Sequence, residues 1–191
     1  MTYLNTIEND LFEKMRQMYL ICKIDFSQKS YVNFIFKMYS LGDTLMDHET
    51  GKLLKCKVYF DKKSNHKEWN EAISRQDGLE GFLGNYNCNG APLEYDYPNR
   101  HACRAIYEFF HQGENLKSDP IHQLFNVFVC LSELRNNVAH ELNKLDLQDI
   151  ESKLGRIDMT SEALKKMLDT YFAIQDMDVY DEINQIIREN L

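Results

Sequence analysis

Helix breakers are scarce in this chain. Three prolines and eight glycines interrupt 191 residues, which disfavours a sandwich or barrel of many short strands and leaves room for long helices. No run approaches the roughly 20 apolar residues of a membrane span. Charged residues interrupt every apolar stretch of the first twenty positions, so no signal peptide and no membrane association are expected. The five cysteines (Cys22, Cys56, Cys88, Cys103, Cys130) are odd in number and scattered, with no Cys-x-x-Cys pair. That argues against a disulfide framework and for free thiols in a reduced, cytoplasmic protein. The motifs of nucleotide-binding loops, zinc proteases and serine hydrolases are absent. His101, Cys103 and His111 share one expected helix, but no second cluster completes a tetrahedral metal site, and neither metal nor cofactor is expected.

An excess of positive charge is missing too. The formal net charge is −8. Such a chain is poorly suited to wrapping duplex DNA, whose affinity comes mostly from cations on phosphates; a pocket for a few nucleotides remains compatible. The charge is uneven. Residues 52–75 hold seven Lys or Arg against three acids, whereas residues 146–191 hold five against eleven. A polyanion should prefer the first region, and Lys55, Lys57, Lys62 and Lys63 are its candidate contacts.

What is there is helical periodicity. Leu4, Ile7, Leu11, Met15, Met18 and Cys22 recur at three and four residues and predict a helix over 2–25. Tyr31, Phe34, Ile35, Met38, Leu41 and Leu45 predict a second over 29–47, weakened by Gly42. Thr50-Gly51 reads as a turn, the alternation over 54–60 as a weak strand, 66–75 as a short helix, and 77–98 as a long loop or insertion. Helices resume at 98–112 with Asn99 as cap, at 120–143, at 146–154 and at 160–189. The expected fold is an all-α helical bundle with an irregular insertion at about 50–97. The segments are 1–49, N-terminal and helical; 50–97, loop-rich; and 98–191, the helical core, all of which could form one domain.

The helix at 120–143 carries the chemistry. Leu124, Phe128, Leu131, Val138 and Leu142 stay within about 40° of one line on a regular helix. Arg135 falls on that line, and a guanidinium inside an apolar stripe is costly unless paired or placed at an interface. His140 lies about 140° round the helix from it, sharing a face with Asn136 and Asn137. An arginine, two amides and a histidine can cut RNA without metal. The 2′-hydroxyl attacks its own phosphorus, histidine moves the proton, and arginine holds the developing phosphoryl charge bidentately. An amide can orient the histidine or hold a phosphate oxygen. Far apart round one regular helix, Arg135 and His140 could not easily converge on one phosphate. Either the helix is irregular there, or two copies of the chain meet across a two-fold axis. The plain structural alternative pairs Arg135 with a buried carboxylate and leaves His140 on a wet face.

Arg135-Asn136-Asn137-Val138-Ala139-His140 resembles the Arg-x4–6-His motif of HEPN domains, including the Asn that often follows the Arg. The whole chain is most similar to the C-terminal effector half of type III CRISPR-associated CARF–HEPN ribonucleases. That resemblance implies an all-α bundle and a homodimer that cleaves single-stranded RNA without metal, in CRISPR or antiviral defence. It assigns catalysis to Arg135 and His140, with Asn136 assisting and Asn137 a substrate contact. It also implies a sensor (CARF) domain in cis if this chain is a piece of a longer protein. Two alternatives stand beside it: a non-catalytic all-α dimerisation or RNA-binding module, and a HEPN toxin held by a partner protein.

Overall fold

The computed structural model describes residues 2–56, 58, 66–88, 90–141 and 144–174, with backbone only for residues 2–9, 140 and 141. The architecture is all-α. In chain order the described elements are α1 (Thr2–Ser27), α2 (Tyr31–Leu54), α3 (Lys67–Ser74), α4 (Leu79–Asn85), strands β1 (Asn87–Cys88) and β2 (Ala91–Pro92), α5 (Arg100–Phe110), a single 3₁₀ turn (Leu116–Ser118), α6 (Pro120–Glu141), α7 (Leu147–Gly155) and α8 (Ser161–Tyr171).

Three expectations need correction. The turn at Thr50-Gly51 does not form, because α2 continues to Leu54. Met46, Thr50 and Leu54, spaced four apart, are all buried, and this burial outweighs the cost of about 1 kcal/mol for a helical glycine. Leu54 is therefore helical rather than the start of a strand, while Lys57 and residues 59–65 lie outside the described residues. Residues 77–98 are not one long loop. They hold α4, entered through Gly78 at φ 80°, and a hairpin pairing Asn87 with Pro92 and Cys88 with Ala91. Lastly, α8 stops at Tyr171, not at 189. Ala173 turns left-handed (φ 51°), and the Ile174 N–H donates back to the Asp169 carbonyl at 2.8 Å, the six-to-one bond of a Schellman cap. Residues 175–191 lie outside the described residues.

The chain groups into two compact units, one formed by Met1–Leu41 with Cys130–Leu191 and one by Gly42–Val129. The first packs Met15, Tyr19 and Cys22 of α1, Ile35 and Met38 of α2, Leu131 of α6, Leu154 of α7 and Leu168 of α8. Phe172 joins α8 to α1 by stacking on Tyr19 with centroids 5.5 Å apart. The Tyr19 hydroxyl donates to Asp169 at 2.8 Å, and Lys23 bonds the same carboxylate at 3.0 Å. In the second unit Arg100 is buried. It donates to Asp43 at 2.8 Å and to the Phe128 carbonyl at 2.7 Å. A Cβ at Gly42 would lie 2.6 Å from the Phe128 ring, so only glycine lets α2 and α6 approach this closely at that level. Asn99 caps α5, its side chain accepting from the Ala102 N–H at 3.0 Å. Asp146 and Asp149 close a capping box at the start of α7, and Thr160 caps α8.

Candidate functional site

Helix α6 runs unbroken from Pro120 to Glu141. Leu124, Phe128, Leu131 and Val138 of its apolar stripe are buried, as their spacing predicts; Leu142 lies outside the described residues. Arg135, on the same stripe, is half-buried. Its guanidinium carbon sits 4.8 Å from the ring centroid of Tyr39 and 5.7 Å from that of Phe36, both on α2. One Nη donates to the Asn136 side-chain oxygen at 3.2 Å. The Nε is buried and meets no acceptor among the described residues, and no carboxylate among them pairs with Arg135. A cation–π contact supports a guanidinium without a counter-charge, so the group keeps its charge for an anion. The charge is thus supported without being neutralised, unlike the carboxylate pairing weighed as the plain alternative.

Asn136 and Asn137 are both exposed. They do not share one neighbourhood. Asn136 is tied to Arg135, whereas Asn137 lines an open cleft of about 520 Å³ with Glu133, Val138, Lys144, Lys153 and Arg156. Arg135 is not part of that lining. Inside the cleft the Lys153 ammonium bonds the Glu133 carboxylate, and the Cys130 thiol donates to the Lys153 carbonyl at 3.3 Å.

The His140 side chain lies outside the described residues. Its backbone belongs to the regular part of α6, so the rotation of about 140° from Arg135 holds. By position it shares a face with Glu133 and Asn137, within about 60°. An irregular helix, the first of the two ways of bringing Arg135 and His140 onto one phosphate, is therefore not what α6 offers.

The basic stretch is less available than its composition suggests. Lys52 pairs with Glu49 at 3.0 Å, while Lys67 and Arg75 both pair with Glu71, at 3.7 and 3.2 Å. Lys55 is exposed in the left-handed turn that ends α2 (φ 54°). Lys57, Lys62 and Lys63 lie outside the described residues. Nor does the structure bring His101, Cys103 and His111 together. The Cys88 sulfur lies 2.9 Å from His101 Nδ1, Cys103 is fully buried, and His111 stacks on Tyr107 with centroids 4.0 Å apart. Among the described residues no group of three or more His, Cys, Asp or Glu is gathered as a metal ion would require, and no helix is long and apolar enough to cross a membrane.

Sequence reasoning missed Phe36 and Tyr39, and with them Lys144 and Arg156. Phe36 is off the core face of α2 and 37% exposed. An aromatic pair three residues apart, partly outside the packed stripe, was the available signal.

The model of the Cas_Csm6 HEPN domain family matches residues 4–188. Comparison with curated proteins and with solved structures returns no match.

Proposed function

This chain belongs to the Cas_Csm6 HEPN domain family, a CRISPR-associated HEPN nuclease family, and on that premise we propose that it is a metal-independent endoribonuclease. It cuts single-stranded RNA in antiviral defence, at a composite site made by two copies of the chain. The observation that carries this is the state of Arg135: half-buried, set over the rings of Tyr39 and Phe36, and tied to Asn136 rather than to a carboxylate.

His140 takes the proton from the RNA 2′-hydroxyl. The freed oxygen attacks the adjacent phosphorus, and the 5′-oxygen leaves with a proton returned by a histidine. The products are a 2′,3′-cyclic phosphate and a 5′-hydroxyl. Arg135 holds the two non-bridging oxygens as charge builds on them. Asn136 fixes the plane of that guanidinium through the bond at 3.2 Å. On a helix that stays regular through His140, one copy presents Arg135 and His140 on different faces. A two-fold pair supplies both groups to one phosphate, through an isologous interface in which each motif meets its copy. Lys55, Lys57, Lys62 and Lys63 add RNA affinity rather than chemistry.

The test is cleavage of a labelled single-stranded RNA in EDTA, with the protein diluted from micromolar to nanomolar concentration. The expected outcome is EDTA-resistant cleavage, lost by ~10²–10⁴ in His140→Ala, with specific activity falling on dilution as dimers dissociate. EDTA-sensitive cleavage, or a monomer whose specific activity is independent of dilution, would overturn the mechanism.

A further inference from the structure

The cleft on the Asn137 side of α6 has no role in the mechanism above. Its volume of about 520 Å³ lies inside the roughly 300–1,000 Å³ range of small-ligand pockets, enough for one nucleotide. Its charges sort into those already satisfied and those left over. Lys153 and Glu133 neutralise each other. Asp149 stands in the capping box, its carboxylate accepting from the Asp146 N–H at 3.0 Å, so the cleft sets one acid against the two cations left unpaired. Lys144 and Arg156 remain, both exposed, with no ion pair among the described residues. The Asn137 amide and Ser152 complete a polar lining. Two free cations, an amide and a hydroxyl around a nucleotide-sized hollow suit a phosphate ester with a polar ring beside it. The cleft also sits on the His140 face of α6, one helical turn before that residue.

We propose that this cleft seats the nucleotide adjoining the scissile phosphate, with its own phosphate on Lys144 and Arg156 and its base or sugar edge on Asn137. This rests on the endoribonuclease reading. It makes the enzyme one that grips RNA beyond the bond it cuts. A dinucleotide offers only the scissile phosphate and leaves Lys144 and Arg156 without a partner. A longer strand fills both.

The experiment compares wild type, Lys144→Gln, Arg156→Gln and the double variant. Lys14→Gln, a charge change at an exposed site on α1, serves as control. Cleavage is measured on a dinucleotide and on a twelve-nucleotide single-stranded RNA. Binding of the longer RNA is followed by fluorescence anisotropy in a His140→Ala background across salt concentrations. On the twelve-mer the double variant should raise KM about tenfold with kcat within twofold. Its salt slope should shallow by about 0.7–1.4, the share of one to two single-strand phosphate contacts. On the dinucleotide it should match wild type, and Lys14→Gln should match wild type throughout. Equal losses on both substrates, or a loss as large in Lys14→Gln, would overturn the cleft as a neighbouring-nucleotide site. So would unchanged twelve-mer binding in the double variant, whether or not the enzyme cuts. If wild type cuts nothing but binds RNA through Lys144 and Arg156, the cleft stands as an RNA contact and the nuclease reading falls instead.

Discussion

Replacing Phe36 and Tyr39 together with leucine removes both rings beneath Arg135 and leaves the guanidinium itself in place. A cation–π contact contributes about 0.5–1 kcal/mol at exposed sites and about 2 when desolvated. Tyr39, closer at 4.8 Å and half-buried, belongs above the exposed end of that scale; Phe36, at 5.7 Å and 37% exposed, belongs at its bottom. Taking about 1 and about 0.5 kcal/mol gives about 1.5 kcal/mol of orienting energy. If that energy serves to hold Arg135 where the transition state needs it, kcat falls about tenfold, since 1.36 kcal/mol is a factor of ten. The fold should survive, because neither ring belongs to the fully buried core and substitutions away from the core cost little. The assay is single-turnover cleavage of a fluorescent single-stranded RNA, run as a cycle with Arg135→Ala. In the Arg135→Ala background the leucines should cost nothing more, because the group they oriented is gone. A double-leucine variant with kcat within twofold of wild type would refute the reasoning. So would one that loses the same tenfold factor without Arg135.

Two further expectations concern fold and thiols. Arg100→Met strips the Asp43 carboxylate and the Phe128 carbonyl of a buried donor, which costs about 3 kcal/mol by analogy with broken buried pairs. At about 2–4 °C per kcal/mol for a chain of this size, Tm by circular dichroism should drop roughly 6–12 °C, and a drop under 2 °C would contradict the pairing's importance. Burial and the nearby Asp25 charge push Cys22 up to about 12, burial and Glu68 push Cys56 up to about 11, and burial raises Cys103 and Cys130. Since only the thiolate alkylates and Cys22 is buried whereas Cys56 is half-buried, iodoacetamide at pH 8 should mark Cys56 ahead of Cys22. Peptide mass spectrometry showing Cys22 labelled as fast as Cys56 would sink that ordering.

Helix interiors were legible in the sequence and helix ends were not, for one physical reason. Periodicity reports which face is buried, and it located Met15 and Cys22 on α1, Ile35 and Met38 on α2, and the stripe of α6 as they occur. The cap by Asn99 was legible because its side chain does the capping. The C-terminal ends carry no such mark. Lys29, Lys55, Asp158 and Ala173 all take φ between 51° and 57°. Behind them the N–H groups of Ser30, Cys56, Met159 and Ile174 reach back five residues to a carbonyl, at 2.8 to 3.1 Å. Four helices thus close with the geometry that glycine usually signals, without glycine. Conversely Gly51 lies inside α2 and marks no turn. Reading glycine as the stop signal ended α2 early and let α8 run on.

The candidate site was half legible for a related reason. A guanidinium on an apolar stripe announces that something must support it, and Arg135 is so supported, but by rings of another helix that no local pattern could assign. Helical regularity then separates the two sides of α6. Arg135 lies over Tyr39 and Phe36, while the face shared by Glu133, Asn137 and His140 bears the cleft. A strand seated in that cleft brings its next phosphate to His140 of the same copy, on the side away from that copy's Arg135. The guanidinium that meets this phosphate must then come from a second chain. Cleft binding and the two-fold pair are therefore one hypothesis seen from two ends. A cleft variant should weaken RNA binding even in an isolated monomer, whereas cleavage should require that the monomer find its partner.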